Sequence, residues 1–514
     1  MAIEAGALDT ELKTNEMAAA QAVRPRNWRL LGLYLLLGFS AGLPFYMFNA
    51  VLTLRLARHG VDIAVIGFFA WVALLPTFKF AWAPVLERFE VPGFGRFWGK
   101  RRGWIMLSQL GIFTSMLSMA MTSSDESLPL TALFAVLLAF WTTTLEIAAD
   151  GWRIELAPTQ AEQGPVVAAN LWGYRSAMVA AGSGAVYVAA KAGWTWAYLV
   201  IAIAAFLPFP ILAMMRPDPD AVGSRGAALG TGIVASLAIL SATTIAAAVV
   251  GGIALELAGA AGVGADSDVT PVVLAICLLP FVLLAAALPR IRRMGPDAPA
   301  RRSAAIGPYV DIFWRYGFAA LPVLVFVSFY RMGDVLTLTL SHPLWNAAGY
   351  SLEEISMADG VVALTCSMAG VAIGGWMAGR WRMGWALAIG AVASAVGNWV
   401  FTWLWWAPRE SWVLYVAAGI DQFGHGLAGA VFVVYLSLLV NPRYPGAQYA
   451  FLSGFAFLLP RLLAGASGAI QKVIGYDGFF IMSGAMSLAA VLFLPVIVRA
   501  VPRKSDMPPE EDAP

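Results

Sequence analysis

Charge is what this chain has least of. Aspartate, glutamate, lysine and arginine make up 12% of its 514 residues, while 60% are hydrophobic. Soluble domains carry roughly twice that charge, about 25%, and the mean hydropathy here is +0.73. So little polar surface cannot cover a water-soluble globule of this size. A net charge of +2 supplies no basic field for a nucleic acid. Only two cysteines occur, Cys277 and Cys366, both inside apolar segments, which excludes a disulfide framework. The three histidines, His59, His342 and His425, lie in distant segments, so no metal site and no cofactor are expected. Residues 1–28 carry Glu4, Asp9, Glu11, Lys13 and Glu16 without an apolar core, unlike a secretory leader. No nucleophile elbow or exposed catalytic pair is found and the loops are short, which argues against an enzyme. A membrane sensor without transport would normally need a soluble output module, and the tails are too short for one.

What the chain has instead is fourteen apolar stretches: 30–54, 63–83, 104–123, 129–149, 166–190, 194–214, 229–259, 270–289, 317–340, 355–379, 383–405, 411–440, 447–471 and 477–499. About 20 apolar residues span a bilayer, so each is long enough to cross. The reading is an all-α, multi-pass membrane protein. An even count puts both termini on one side, and the basic residues test that count. With the N-terminus cytoplasmic, 24 of the 33 lysines and arginines fall in cytoplasmic segments and five outside. A wrong count would swap sides downstream and spoil the asymmetry. Both termini are therefore expected in the cytoplasm.

The chain divides at a Pro/Arg-rich linker, Arg290–Pro308, followed by a short interfacial helix with Asp311 and Arg315 four residues apart. Each half carries a Gly- and Arg-rich turn after its second span. The first runs from Trp82-Ala83-Pro84-Val85-Leu86-Glu87-Arg88 to Gly99-Lys100-Arg101-Arg102-Gly103. The second is Gly375-Trp376-Met377-Ala378-Gly379-Arg380-Trp381-Arg382. Both resemble the loop between helices 2 and 3 in the major facilitator superfamily. The expected layout is a tail at 1–28, a six-helix bundle at 29–215, two extra helices at 229–289, a linker at 290–316, a second six-helix bundle at 317–499 and a disordered tail at 500–514. The extra pair is Ala/Gly/Leu-rich, with Glu256 as its one ionisable residue in the spans, and reads as a peripheral scaffold.

Ionisable side chains at bilayer depth are costly and are functional candidates by default. Arg175, Arg331 and Arg461 fall near the middle of their spans, in both halves. Guanidinium forks suit a substrate bearing carboxylates or phosphates; alternatively each ties helices together through an internal acid, with Asp334 one turn from Arg331. Asn398 and Gln448 join them as neutral candidates for substrate contact. Asp421 and His425 lie at i, i+4 and read as a proton relay or a packing pair. Glu146 and Asp150 share the same spacing at the end of the fourth span, beside Lys79 and Arg153. They read as proton-coupling carboxyls or as part of a gate, and Asp334 joins the proton-coupling candidates. Lys79, Glu87, Arg88, Arg101, Arg102, Arg153 and Arg380 form the expected gating set at the cytoplasmic ends.

Several stretches together carry a resemblance. They are Leu37-Gly38-Phe39-Ser40-Ala41-Gly42-Leu43-Pro44, Thr77-Phe78-Lys79-Phe80-Ala81-Trp82-Ala83-Pro84, Arg101-Arg102-Gly103-Trp104 with Gln109, and Ile147-Ala148-Ala149-Asp150-Gly151-Trp152-Arg153. Later come Gly173-Tyr174-Arg175, Met332-Gly333-Asp334, Gln448-Tyr449-Ala450-Phe451-Leu452-Ser453 and Pro460-Arg461. The chain resembles the AmpG-type muropeptide permeases of the major facilitator superfamily. It departs from their pattern at Glu146, where Gln is usual, at Gly151, where Ala is usual, and in its Asp421–His425 pair. The resemblance implies six plus six helices with two extra. It also implies a monomeric, proton-driven importer of an N-acetylglucosamine–anhydromuramyl peptide in the bacterial inner membrane, serving cell-wall recycling. Siderophore and acetyl-coenzyme A permeases look similar, and an anionic solute would suit all three arginines. Alternating access of two halves around a midplane site follows from such a repeat.

Overall fold

A computed structural model describes residues 28–59, 71–122, 127–260, 279, 282–283, 285–295, 298–303, 305–465 and 467–499. Apart from Trp28, the tails expected at 1–28 and 500–514 lie outside the described residues. So do the start of the span expected at 63–83 and most of the one expected at 270–289, with Cys277.

Every regular element among the described residues is helical. We name α1 (Trp28–Leu56), α2 (71–88), α3 (Lys100–Met121), α4 (Leu128–Leu156), α5 (160–192), α6 (Trp194–Met214) and α7 (Arg225–Ala260). The short interfacial helix is α8 (Gly307–Tyr316), followed by α9 (Ala320–Ala347), α10 (Glu353–Arg380), α11 (Met383–Trp406), α12 (Ser411–Leu439), α13 (Pro445–Gly465) and α14 (Ser467–Ala489). Eleven helices among the described residues are long and apolar enough to cross a bilayer. Of the three other expected spans, 270–289 lies mostly outside the described residues. α5 is long enough, but Gln160, Glu162, Gln163, Asn170 and Arg175 dilute its apolar content. α2 opens with Trp71–Ala81 wound as a 3-10 helix around Pro76, a winding that often marks a hinge when it runs this long.

Local signals set the helix ends. Thr159 and Glu162 form a capping box that starts α5, and Ser351 with Glu354 forms another that starts α10. Gly193, at φ +92°, reverses the chain between α5 and α6, a backbone that a side chain would strain. The buried apolar side chains gather in separate clusters. One is built from residues 34–228, with only Ala447 and Ala450 from later in the chain. Two others come from residues 288–497, with Ile154 and Val167 from earlier. The first and later groups meet where α5 crosses α10. There Gly164 packs so closely that a Cβ would stand 2.2 Å from the Gly375 carbonyl oxygen. In contrast, α7 presents most of its apolar surface outward, with Val234, Ile245 and Val250 about two-thirds exposed. That composition and exposure fit a helix facing lipid.

Three helices carry a π-helical turn away from the end that holds Glu87. These are Met47–Val51 in α1, Ala180–Gly184 in α5 and Ala358–Val362 in α10.

Candidate functional site

The basic end of the bundle is held shut by bonds between the early and late helices. α13 begins here, so its first backbone N–H groups have no helical partners and carry partial positive charge. The Glu87 carboxylate accepts from two of them, Gly446 at 2.7 Å and Ala447 at 3.0 Å. Arg101 pairs with the other Glu87 oxygen at 2.5 Å and with Glu155 at 2.8 Å. Arg153 is fully buried. It donates to Gln163 at 2.7 Å, to Ser437 of α12 at 3.0 Å and to Asp150 at 3.0 Å, and it lies 5.3 Å from the Tyr449 ring centre. The Gln160 amide donates to the Ala378 and Trp381 carbonyls at the end of α10, and the Tyr309 hydroxyl of α8 donates to the Phe80 carbonyl.

This arrangement gathers Glu87, Arg101, Arg153 and Asp150 from the expected gating and coupling sets. It leaves three others out. Arg102 bonds the Arg216 carbonyl at 2.7 Å and lies 3.7 Å from Asp218, within the early helices. Arg88 and Arg380 stack on Phe89 and Trp376 and form no ion pair among the described residues. Their one-residue offset from Glu87 and Arg101, or their place on an outward rim, turns them away from the contact.

Deeper in the bundle Arg331 donates to Asp334 at 2.7 Å and lies 3.1 Å from His425 Nε2. The ring of Phe457 in α13 lies 5.6 Å from the Arg331 guanidinium and 5.5 Å from that of Arg461. Phe457 is one turn before Arg461, so both project from the same side of α13. Arg461 donates to Thr77 of α2 at 2.5 Å, and two residues on Lys79 pairs with Glu146 of α4 at 3.8 Å and faces the Tyr449 ring. The result is a polar path from α9 through α13 to α2 and α4, with cations and aromatic rings alternating along it.

Asp334 is itself held. Ser394 of α11 donates to its second oxygen, and Ser487 of α14 bonds both Ser394 at 3.1 Å and Asn398 at 3.2 Å. Asn398 is fully buried and supports this cluster from behind. Its Oδ1 has no hydrogen-bond partner among the described residues.

Three expected placements come out differently. Asp421 and His425 share a helical face, yet no bond joins them: His425 turns to Arg331, with its Nδ1 3.9 Å from Asp334, and Asp421 accepts from the Gln422 amide at 3.0 Å. Helical spacing fixes the face; the stronger partner on α9 decides the pairing. Gln448 lies away from the arginines. Its amide is saturated by Arg315, the Asn441 N–H, the Pro308 carbonyl and Asp311, pinning α8 to α12 and α13. Arg175 makes no hydrogen bond or ion pair among the described residues; its charge reaches Asp334 and His425, the partners of Arg331, and its side chain lines a recess with Asp359, Ser367 and Gln422. Sequence reasoning missed Thr77, Phe457, Tyr449 and Ser437. Phe457 carried a spacing signal, i, i+4 from Arg461, and Thr77 and Tyr449 stand in stretches that carry the resemblance without being singled out there; Ser437 carried none.

The putative transporter AmpG 4 of Rickettsia conorii is 25% identical over 469 residues, covering 91% of this chain and 96% of that protein. The anhydromuropeptide permease of Escherichia coli K12 is 23% identical over 464 residues, 90% of this chain and 78% of that protein. The chain is similar to AmpG-type permeases along most of its length. No family model matches it. A proton:xylose symporter of the major facilitator superfamily, XylE, superposes with a TM-score of 0.59 at 13% identity, covering 92% of this chain and 95% of its own. The fold is therefore that of the major facilitator superfamily. With these relatives and this fold, the chain is a multi-pass membrane transporter of a small molecule, not an enzyme.

Proposed function

We propose that the protein imports an anhydromuropeptide, an N-acetylglucosamine–anhydromuramyl peptide, across the bacterial inner membrane in symport with protons, for cell-wall recycling. Two six-helix bundles, 29–215 and 317–499, rock about a central site. The extra helices at 229–289 stay outside it, both termini are cytoplasmic, and a monomer suffices. The Glu87 end is then the cytoplasmic gate, closed in this structure. The observation that carries the reading is the pair of guanidiniums on Phe457, one of them reaching across to Thr77. Two planar cations beside one aromatic ring fit a ligand with a sugar face and carboxylates. The permease name of the Escherichia coli relative points to the same solute class.

The proton enters the account at the Arg331–Asp334–His425 cluster and at Asp150 beside Arg153. Protonating Asp334 removes the charge that holds Arg331. The guanidinium is then free for the substrate carboxylate, and the deprotonated acid takes it back on release. At the cytoplasmic end, protonating Asp150 loosens Arg153 from the α4–α12 contact, so the same ion moves both groups. Asp150→Asn is expected to abolish accumulation while sparing ligand binding; normal proton-driven accumulation by this variant contradicts the coupling role. Arg461→Ala is expected to weaken binding at least tenfold, the loss of about 1.4 kcal/mol. An unchanged ligand-induced melting shift removes Arg461 from the site. A shift given by a siderophore or a coenzyme A ester, and by no muropeptide, transfers the same arginines to another anionic solute.

A further inference from the structure

The recess beside Arg175 belongs to none of the contacts above. It opens between α5, α10 and α12, next to the π-helical turn of α10 and away from the Glu87 gate. Its interior has room for about one water molecule, too little for a glycopeptide group. At its mouth Asp359 lies 3.5 Å from His342 Nε2 of α9, and both side chains are nearly half exposed. Further in, Ser367 is 1% exposed and its hydroxyl has no hydrogen-bond partner among the described residues. A buried hydroxyl without a protein partner is a place for water. Past Ser367, the Gln422 amide donates to Asp421 at 3.0 Å. Asp421 is buried and packs on Gly397, and Ser394, one turn earlier on α11, donates to Asp334. A row of polar groups thus runs from a half-exposed acid to the Arg331 cluster.

We propose that this recess is the route by which protons from the outer side reach Asp421 and then the Arg331–Asp334–His425 cluster, separate from the face that takes the solute. The proposal rests on the proton-symport reading. The step is a transfer: hydronium at Asp359 gives its proton through water at Ser367 to the Asp421 carboxylate, leaving neutral water behind and a carboxylic acid at Asp421. The charges that act on Asp421 are Asp334 from α9 and Arg175 from α5; His425 stands one turn along its own helix, and α11 faces it with Gly397. Arg175 opposes a hydronium in the recess, and Asp359 supplies the opposite charge that offsets it. Asp359 and Ser367 are positioning residues in this account, and neither touches the solute.

The test uses proteoliposomes loaded with the pH dye pyranine and labelled N-acetylglucosamine–anhydromuramyl peptide as probe, with wild type, Asp359→Asn and Ser367→Val. Accumulation under an inward proton gradient is compared with solute exchange at equal pH, which moves no net proton. Both variants are expected to lose accumulation and dye response about tenfold while exchange stays within twofold of wild type. Variants that exchange and also accumulate at the wild-type rate overturn the route and leave symport standing. A wild type that exchanges solute without moving protons overturns symport and the route together. If both variants also lose exchange, Ser367→Cys in a background with Cys277→Ser and Cys366→Ser decides. Rapid reaction with a small thiol reagent added outside supports the route, and an inert thiol overturns it.

Discussion

Arg331 shows how much one residue is asked to do. It is 7% exposed, bonded to Asp334 and His425, and flanked by Phe457. Removing a partner from a buried ion pair costs about 3–5 kcal/mol, because the remaining charge is left uncompensated. Asp334→Ala is therefore expected to lower thermal stability by several degrees and Arg331→Met to restore part of it in the double variant, read by melting in detergent. A double variant that melts no higher than Asp334→Ala would show that Arg331 is not the charge that suffers. At this scale the sequence was partly legible. Arg331 and Asp334 stand three apart on one helix, and their pairing follows. The contacts of Asn398 to Ser487 and of Arg461 to Thr77 join helices that only the tertiary fold brings together. Asp421 and His425 mislead for the same reason: spacing places both on one face and says nothing of what faces them.

Among the elements, the start of α13 and the α5–α10 crossing matter most for gating. Glu87 caps α13 with charge-assisted hydrogen bonds, each worth about 1.5–3 kcal/mol. Glu87→Gln keeps the shape and removes the charge. It is expected to open the Glu87 end, so that a cysteine placed at Ser437 reacts several-fold faster with a thiol reagent added on the side to which that end opens. Equal reactivity in Glu87→Gln and its parent would mean that the cap does not hold the gate. The crossing has no room to give: Gly164→Leu is expected to block closure of this end and abolish uptake, whereas Gly182→Ala, with nothing within 4 Å of its Cβ position, is expected to be silent. The turn carrying Glu87 and Arg101 could be read from the sequence because its glycines and charges recur after the second span of each half. The 3-10 winding of α2 could not, since a Pro inside an apolar run is compatible with a kink, a break or a rewound turn.

For the whole molecule, the helical, many-spanning architecture followed from apolar length alone, and the major facilitator fold is shared with the xylose symporter. The central site was less legible, because a bilayer-spanning sequence reports how deep a polar residue lies but not which helix it faces. In the proposed proton-driven cycle a closed basic end, two arginines on one aromatic ring and a separate water-sized recess act together, and solute uptake consumes the proton gradient. The most direct measurement is uptake of labelled anhydromuropeptide into proteoliposomes with and without an inward proton gradient. The account predicts accumulation above the outside concentration that collapses on adding a protonophore. Uptake that only equilibrates, and at the same rate whether or not the gradient is present, would contradict it.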